Sequence, residues 1–97
     1  MVMIKIENIW MSQRNLKRFD QVSKMISDLR EGCVLPTIEL SRDEDGEFQL
    51  EDGHHRLTAI YLSGRKILHE DEYFVVEKDR YRSRCGKIQD LINYCKF

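Results

Sequence analysis

Residues 48–60 read Phe-Gln-Leu-Glu-Asp-Gly-His-His-Arg-Leu-Thr-Ala-Ile. They concentrate more chemistry than any other part of the chain. A short apolar strand runs into Asp52-Gly53, and a helix begins at once with His54, His55 and Arg56 in its first turn. A helix start presents unpaired backbone N–H groups and the positive end of the helix dipole, and both attract anions. Gly53 accepts a sharp bend and lets a ligand approach the backbone closely. Arg56 can grip a phosphate through two parallel hydrogen bonds. The unit reads as a phosphate cradle, and equally as a tight turn in which Asp52 caps the helix and Arg56 pairs with Glu51 or Asp52.

The same few residues supply the candidates for proton transfer and metal binding. Neighbouring helical residues point about 100° apart. One of His54 and His55 is therefore expected to face the site, donating hydrogen bonds or shuttling a proton, with Asp52 as a third catalytic candidate. Glu51 and Asp52 are placed to hold Mg²⁺ through water. Zinc is disfavoured, because adjacent histidines converge poorly and His69 lies in another segment.

Two basic clusters lie outside the box. Arg14, Lys17 and Arg18 precede the first expected helix and are candidates for further phosphate contacts, Arg18 above all. Lys78, Arg80, Arg82, Arg84 and Lys87 are interleaved with Tyr81. On an extended stretch Arg80, Arg82 and Arg84 would share one face, a patch suited to nucleic acid or an acidic protein, or simply a charged edge strand. With the acidic stretches at 43–47 and 70–72 they make the chain electrically two-sided, which also permits a homodimer.

The elements that must position these residues follow from patterning. Val2, Ile4 and Ile6 alternate with Met3 and Lys5, which predicts a strand ending near Glu7. Phe19, Val22, Met25, Ile26 and Leu29 recur at helical spacing, with Asp20 as expected N-cap and Gly32 just past the end. Residues 34–40 read as a strand, placed at an edge or bulge by Pro36. Asp45-Gly46 is a hairpin signal, and residues 47–50 return as its second strand. A helix over 54–63 with a wide apolar face, a strand over 73–77 and a final helix carrying Ile88, Leu91, Ile92 and Cys95 complete the chain. Trp10 and Phe19 are expected in the core.

The chain has 97 residues, 41% hydrophobic and 34% charged, with net charge −1. That fits one globular domain over 1–97 and implies no polyanion partner from overall charge. Cys33, Cys85 and Cys95 form no CxxC pair, and Met1 to Lys5 gives no secretory pattern. The expectation is reduced thiols in a cytoplasmic protein, with Cys33 buried beside Val34 and Leu35. No run of apolar residues is long enough for a membrane span. The fold class is α+β, a small mixed β-sheet with packed helices.

This order of elements and the Asp52-Gly53-His54-His55-Arg56 box resemble the ParB/sulfiredoxin-like domain over about two-thirds of the chain, from Ile4-Lys5-Ile6 through the helix after Gly53. ParB proteins carry Gly-Glu-Arg-Arg at this box and sulfiredoxins Gly-Cys-His-Arg. The version here looks like that of many ParB-like proteins and of the related free serine kinases. The resemblance implies a nucleotide, ATP or CTP with Mg²⁺, whose phosphates lie on Gly53, His54, His55 and Arg56, with hydrolysis or phosphoryl transfer as the attached chemistry. His54 stands where sulfiredoxins have their catalytic cysteine, so that reaction is not implied. The kinases' glutamate is missing from residues 11–18. The alternative is a non-enzymatic DNA- or RNA-binding module, a weak nuclease or a protein inhibitor acting through Arg80, Arg82, Arg84 and Lys87.

Overall fold

The computed structural model describes residues 3–42, 46–77 and 84–95. Val2, Arg80 and Arg82 lie outside these residues, as do the other members of residues 43–45 and 78–83.

The described residues form a small α+β fold with three helices and five strands, in the order β1 (Ile4–Lys5), a 3₁₀ turn (Ile6–Asn8), α1 (Asp20–Arg30), β2 (Ile38–Arg42), β3 (Phe48–Asp52), α2 (His54–Leu62), β4 (Ile67–Leu68), a second 3₁₀ turn (Glu70–Glu72), β5 (Tyr73–Val76) and α3 (Ile88–Cys95). The strands form two sheets. β1 and β4 pair antiparallel, and a three-stranded mixed sheet runs β3-β2-β5, antiparallel between β2 and β3 and parallel between β2 and β5.

β2 and β3 form the predicted hairpin, with Arg42 opposite Phe48 and an irregularity in register between Glu39 and Leu40. The outer edge of β3 is covered by Trp10, whose N–H bonds the Phe48 carbonyl at 2.9 Å while its carbonyl accepts from the Leu50 N–H at 2.8 Å. That cover removes an exposed edge from the sheet.

Alternation along the hairpin sends Ile38, Leu40 and Leu50 into the core. They meet Leu57, Ala59 and Ile60 of α2, with Ile6, Ile9, Met11, Leu16, Val22, Leu68, Ile88 and Leu91 completing the core. α2 buries four consecutive residues, Leu57 to Ile60. That is the wide buried face its composition predicts and marks it as the central helix. α1 fully buries only Val22 and rests on the surface through a half-buried stripe of Phe19, Met25, Ile26 and Leu29. Among the described residues no helix is long and apolar enough to cross a membrane.

Several sequence expectations are corrected. The first strand is shorter than its alternation predicts: Ile6 leaves the sheet in a 3₁₀ turn yet stays buried, its N–H bonding the Lys66 carbonyl at 3.0 Å. Residues 34–40 are not one strand, because β2 starts at Ile38. Pro36 lacks an N–H for a ladder, and Val34 is 93% exposed. Cys33 is exposed, not buried, since Gly32 at φ +87° ends α1 and turns the chain outward. The N-cap of α1 is Phe19, which leaves Asp20 as the first helical residue. Asp52 does not cap α2, whose N-cap is Gly53 in a left-handed conformation without a side-chain cap. Trp10 is only half-buried, and Phe19 packs at the margin of the core.

Gly53 links this frame to the site. Its φ is +106°, and a Cβ placed there would lie 2.6 Å from Ile38 Cγ2 and 3.3 Å from Arg56 Nε. The space a side chain would need there is filled by Ile38 and Arg56. Gly64 has φ +107° but nothing within 4 Å of its absent Cβ, so it isolates the conformational cost. Gly64→Ala should cost about 1 kcal/mol. Gly53→Ala carries the same strain plus the collision and should cost about 2–4 kcal/mol. Urea unfolding of the two variants measures the difference. Equal losses would show that Ile38 does not press on Gly53.

Candidate functional site

The site is built where the end of β3, the first turn of α2 and residues 12–18 meet. α2 starts on Gly53 with no side chain capping it, and its first internal backbone bond runs from the Leu57 N–H to the Gly53 carbonyl at 2.8 Å. The N–H groups ahead of Leu57 are the unpaired donors of a helix start.

Both histidines are turned toward residues 12–18. His54 Nε2 accepts the backbone N–H of Ser12 at 3.1 Å, and Ser12 Oγ donates to the Leu50 carbonyl at 2.7 Å. His55 Nε2 accepts the backbone N–H of Arg18 at 3.2 Å. A ring nitrogen that accepts carries no proton, so these bonds require the neutral Nδ1–H tautomer. Two adjacent imidazoles, about 100° apart around the helix, thus grip the two ends of one segment. Thr58 Oγ1 donates to the His54 carbonyl at 2.7 Å and steadies the first turn from below.

Position separates the two rings chemically. His54 is 3% exposed, and burial, then its neighbour His55, lowers its pKa to about 4 against the opposing pull of Asp52 and Glu51. It stays neutral at ordinary pH and serves as an anchor. His55 is half-buried. Its pKa is lowered by burial, then by Arg18, with Asp20 acting the other way.

The remaining candidates are placed as follows. Arg56 Nη1 donates to the Thr37 carbonyl at 3.1 Å and Nη2 to Asp52 Oδ2 at 3.2 Å, and its side chain is 18% exposed. It staples the start of β2 to the end of β3 and has further N–H donors beyond these two. Glu51 and Asp52 alternate to opposite faces of β3. Glu51 accepts from Ser41 Oγ at 2.7 Å and Gln49 Nε2 at 2.8 Å, while Asp52 faces Arg56. The two carboxylates therefore do not converge. The groups of ligand atoms close enough to share an ion among the described residues are Asp28–Glu31–Cys33 and His69–Asp71–Glu72, neither at the box. Arg14 and Lys17 are exposed, and Arg18 reaches outward with its Nε 3.9 Å from Asp20.

The second basic cluster is only partly described. Arg84 lies over the Trp10 ring at 5.0 Å and pairs with Glu47 at 3.2 Å. Lys87 lies over the same ring at 4.1 Å. These two cations pack on Trp10, the expected core residue; Arg80 and Arg82 lie outside the described residues.

The histidine bonds to Ser12 and Arg18 are the part of the site that sequence reasoning missed. They join residues 42 and 37 positions apart, and no local pattern encodes such a contact. The only signal was a pair of histidines in the first turn of an otherwise buried helix. Comparison with protein-family models, with curated proteins and with solved structures finds no match for this chain.

The His54 bond predicts a pH dependence. Unfolded, the ring takes up a proton near 6.5; folded, it does so only near 4. The contribution is therefore complete above 6.5 and lost as pH falls from 6.5 toward 4, with a total of about 3 kcal/mol. Urea unfolding between those limits should show the wild type losing about 3 kcal/mol more than His54→Gln. Parallel curves would mean that the neutral ring contributes nothing.

Proposed function

We propose that the chain is a small nucleotide-binding domain of the ParB/sulfiredoxin-like kind, holding the phosphates of ATP or CTP at the first turn of α2. The observation that carries this reading is the seating of residues 12–18 by His54 and His55, which fastens the segment bearing Arg14, Lys17 and Arg18 onto the uncapped helix start. The unpaired N–H groups then lie beside a segment that carries three exposed cations, a combination suited to a polyanion. Gly53, His54 and His55 provide the backbone donors. Arg18 and the unused donors of Arg56 grip the phosphate oxygens. Mg²⁺ arrives bound to the phosphates, as is usual for an ion that keeps its waters, because Glu51 and Asp52 diverge.

The imidazoles support binding more than turnover. His54 is a buried acceptor engaged with Ser12, which suits a positioning residue. His55 and exposed Asp52 are the groups left for moving a proton in any hydrolysis or transfer.

Arg18 gives the cleaner test, because its side chain is 66% exposed, whereas loss of Arg56 also removes its bonds to Thr37 and Asp52. Thermal unfolding with ATP or CTP and Mg²⁺ at 100 times the Kd should stabilise the wild type by about 2.7 kcal/mol. Arg18→Ala should retain the unliganded stability and lose about 1 kcal/mol or more of that gain. Absence of a shift in the wild type with either nucleotide would overturn the reading.

A further inference from the structure

We propose that His55 is a proton-operated clasp on the Lys17–Arg18 end of the segment: the neutral ring holds the Arg18 N–H, and the imidazolium releases it. The geometry carries this. His55 Nε2 is the acceptor for the Arg18 N–H at 3.2 Å, and a protonated Nε2 has no lone pair to offer. Protonation would set one N–H donor against another and add a positive charge beside the Arg18 guanidinium.

The other end of the segment does not open with it. Ser12 is held by the deeply buried His54 and by its own bond to the Leu50 carbonyl, and Leu16 is 4% exposed in the core. Release at His55 therefore acts on the Arg18 N–H alone, since the Arg18 carbonyl still accepts the Gln21 N–H at 2.9 Å and Phe19 stays packed against the core. The charged and titratable groups around His55 are Arg18 and Asp20 across the contact, with His54 and Arg56 on its own helix. Arg18 and burial favour the neutral, closed form, and Asp20 favours the open one. The half-exposed setting of His55 lets it exchange protons under conditions in which His54 stays neutral.

One consequence rests on the phosphate reading. An anion at the start of α2 would meet an imidazolium and a freed Arg18 N–H where the closed form offers neither. Anion binding and proton uptake then strengthen each other, as linkage requires.

The clasp is tested without any ligand. Backbone amide and histidine ring signals are followed by NMR from about pH 8 to about pH 5, the range in which an ordinary histidine titrates. The Arg18 amide should move with the midpoint of the His55 ring, the Ser12 amide should not, and in His55→Gln, whose carbonyl oxygen accepts but does not titrate, the Arg18 amide should stay flat. A flat Arg18 amide in the wild type while His55 titrates would overturn the clasp. So would a His55 ring protonated on Nε2 at neutral pH, or Ser12 and Arg18 moving together.

Sulfate, whose charge is constant over this range, tests the linked consequence. It should bind the wild type more tightly on the acid side of the His55 ring's own NMR midpoint than at about pH 7.5, and His55→Gln should show a smaller change. A titrating Arg18 amide with no sulfate binding at either pH would support the clasp and overturn the phosphate reading.

Discussion

A buried imidazole accepting a backbone N–H is the interaction on which the site depends. Ser12 follows Met11, which is fully buried and bonded through its N–H and carbonyl to Gly86 and Cys85. Without His54 the chain after Met11 would leave the Ser12 N–H unpaired in a half-buried place, at a cost comparable to a lost hydrogen bond. With it, the N-terminal segment, the end of β3 and the first turn of α2 share one junction. The ring is 3% exposed, and a neutral buried acceptor is less costly there than a charged one. The same burial that fixes its tautomer withdraws it from acid–base work.

Gly53 is the second constraint, and it acts on the same junction from the other side. The left-handed turn lets β3 end and α2 begin within a single residue, so no linker separates the sheet from the helix start. Ile38 and Arg56 fill the space that a side chain would need. Because Arg56 also bonds the Thr37 carbonyl and Asp52, the entry to β2, the exit of β3 and the first turn of α2 are packed into one block. The helix start is held rigidly by groups that look, in the sequence, like ligands for something else.

Periodic features were legible and solitary ones were not. α1, α2 and α3 follow from their apolar spacing, and the hairpin follows from alternation on either side of Asp45-Gly46. β4, two residues long, and the 3₁₀ turn after it carry no period. That region is organised by Arg65, which bonds Glu72 at 2.9 Å, while Glu72 accepts the His69 N–H at 2.8 Å. Of the strand expected over 34–40 only Ile38 onward forms: Pro36 was read as an edge or bulge within a strand, whereas the strand starts after it, and the chain turns outward at Gly32. At the site, the sequence identified where chemistry is concentrated but not which groups face one another. Asp52 was read as a cap, as a metal ligand and as a partner of Arg56; it does not cap α2, and it pairs with Arg56. One of the two histidines was expected to face the site, yet both rings accept N–H groups of the protein's own backbone.

The two histidines show how adjacency in a helix becomes a division of labour. They share a first turn and a bonding pattern, and differ in how far the ring is withdrawn from water. His54, in the core, has its pKa lowered to about 4, and its bond to Ser12 behaves as a permanent part of the fold. His55, at the margin, has its pKa lowered by partial burial and by Arg18 against the pull of Asp20, and its bond to Arg18 is the one open to protonation while the first stays intact. The segment is fixed at Ser12, and at its far end the Arg18 carbonyl keeps the Gln21 N–H, so the group that responds is the Arg18 amide. The bond beside the exposed cations Lys17 and Arg18 is thus the one made by the less buried of the two rings.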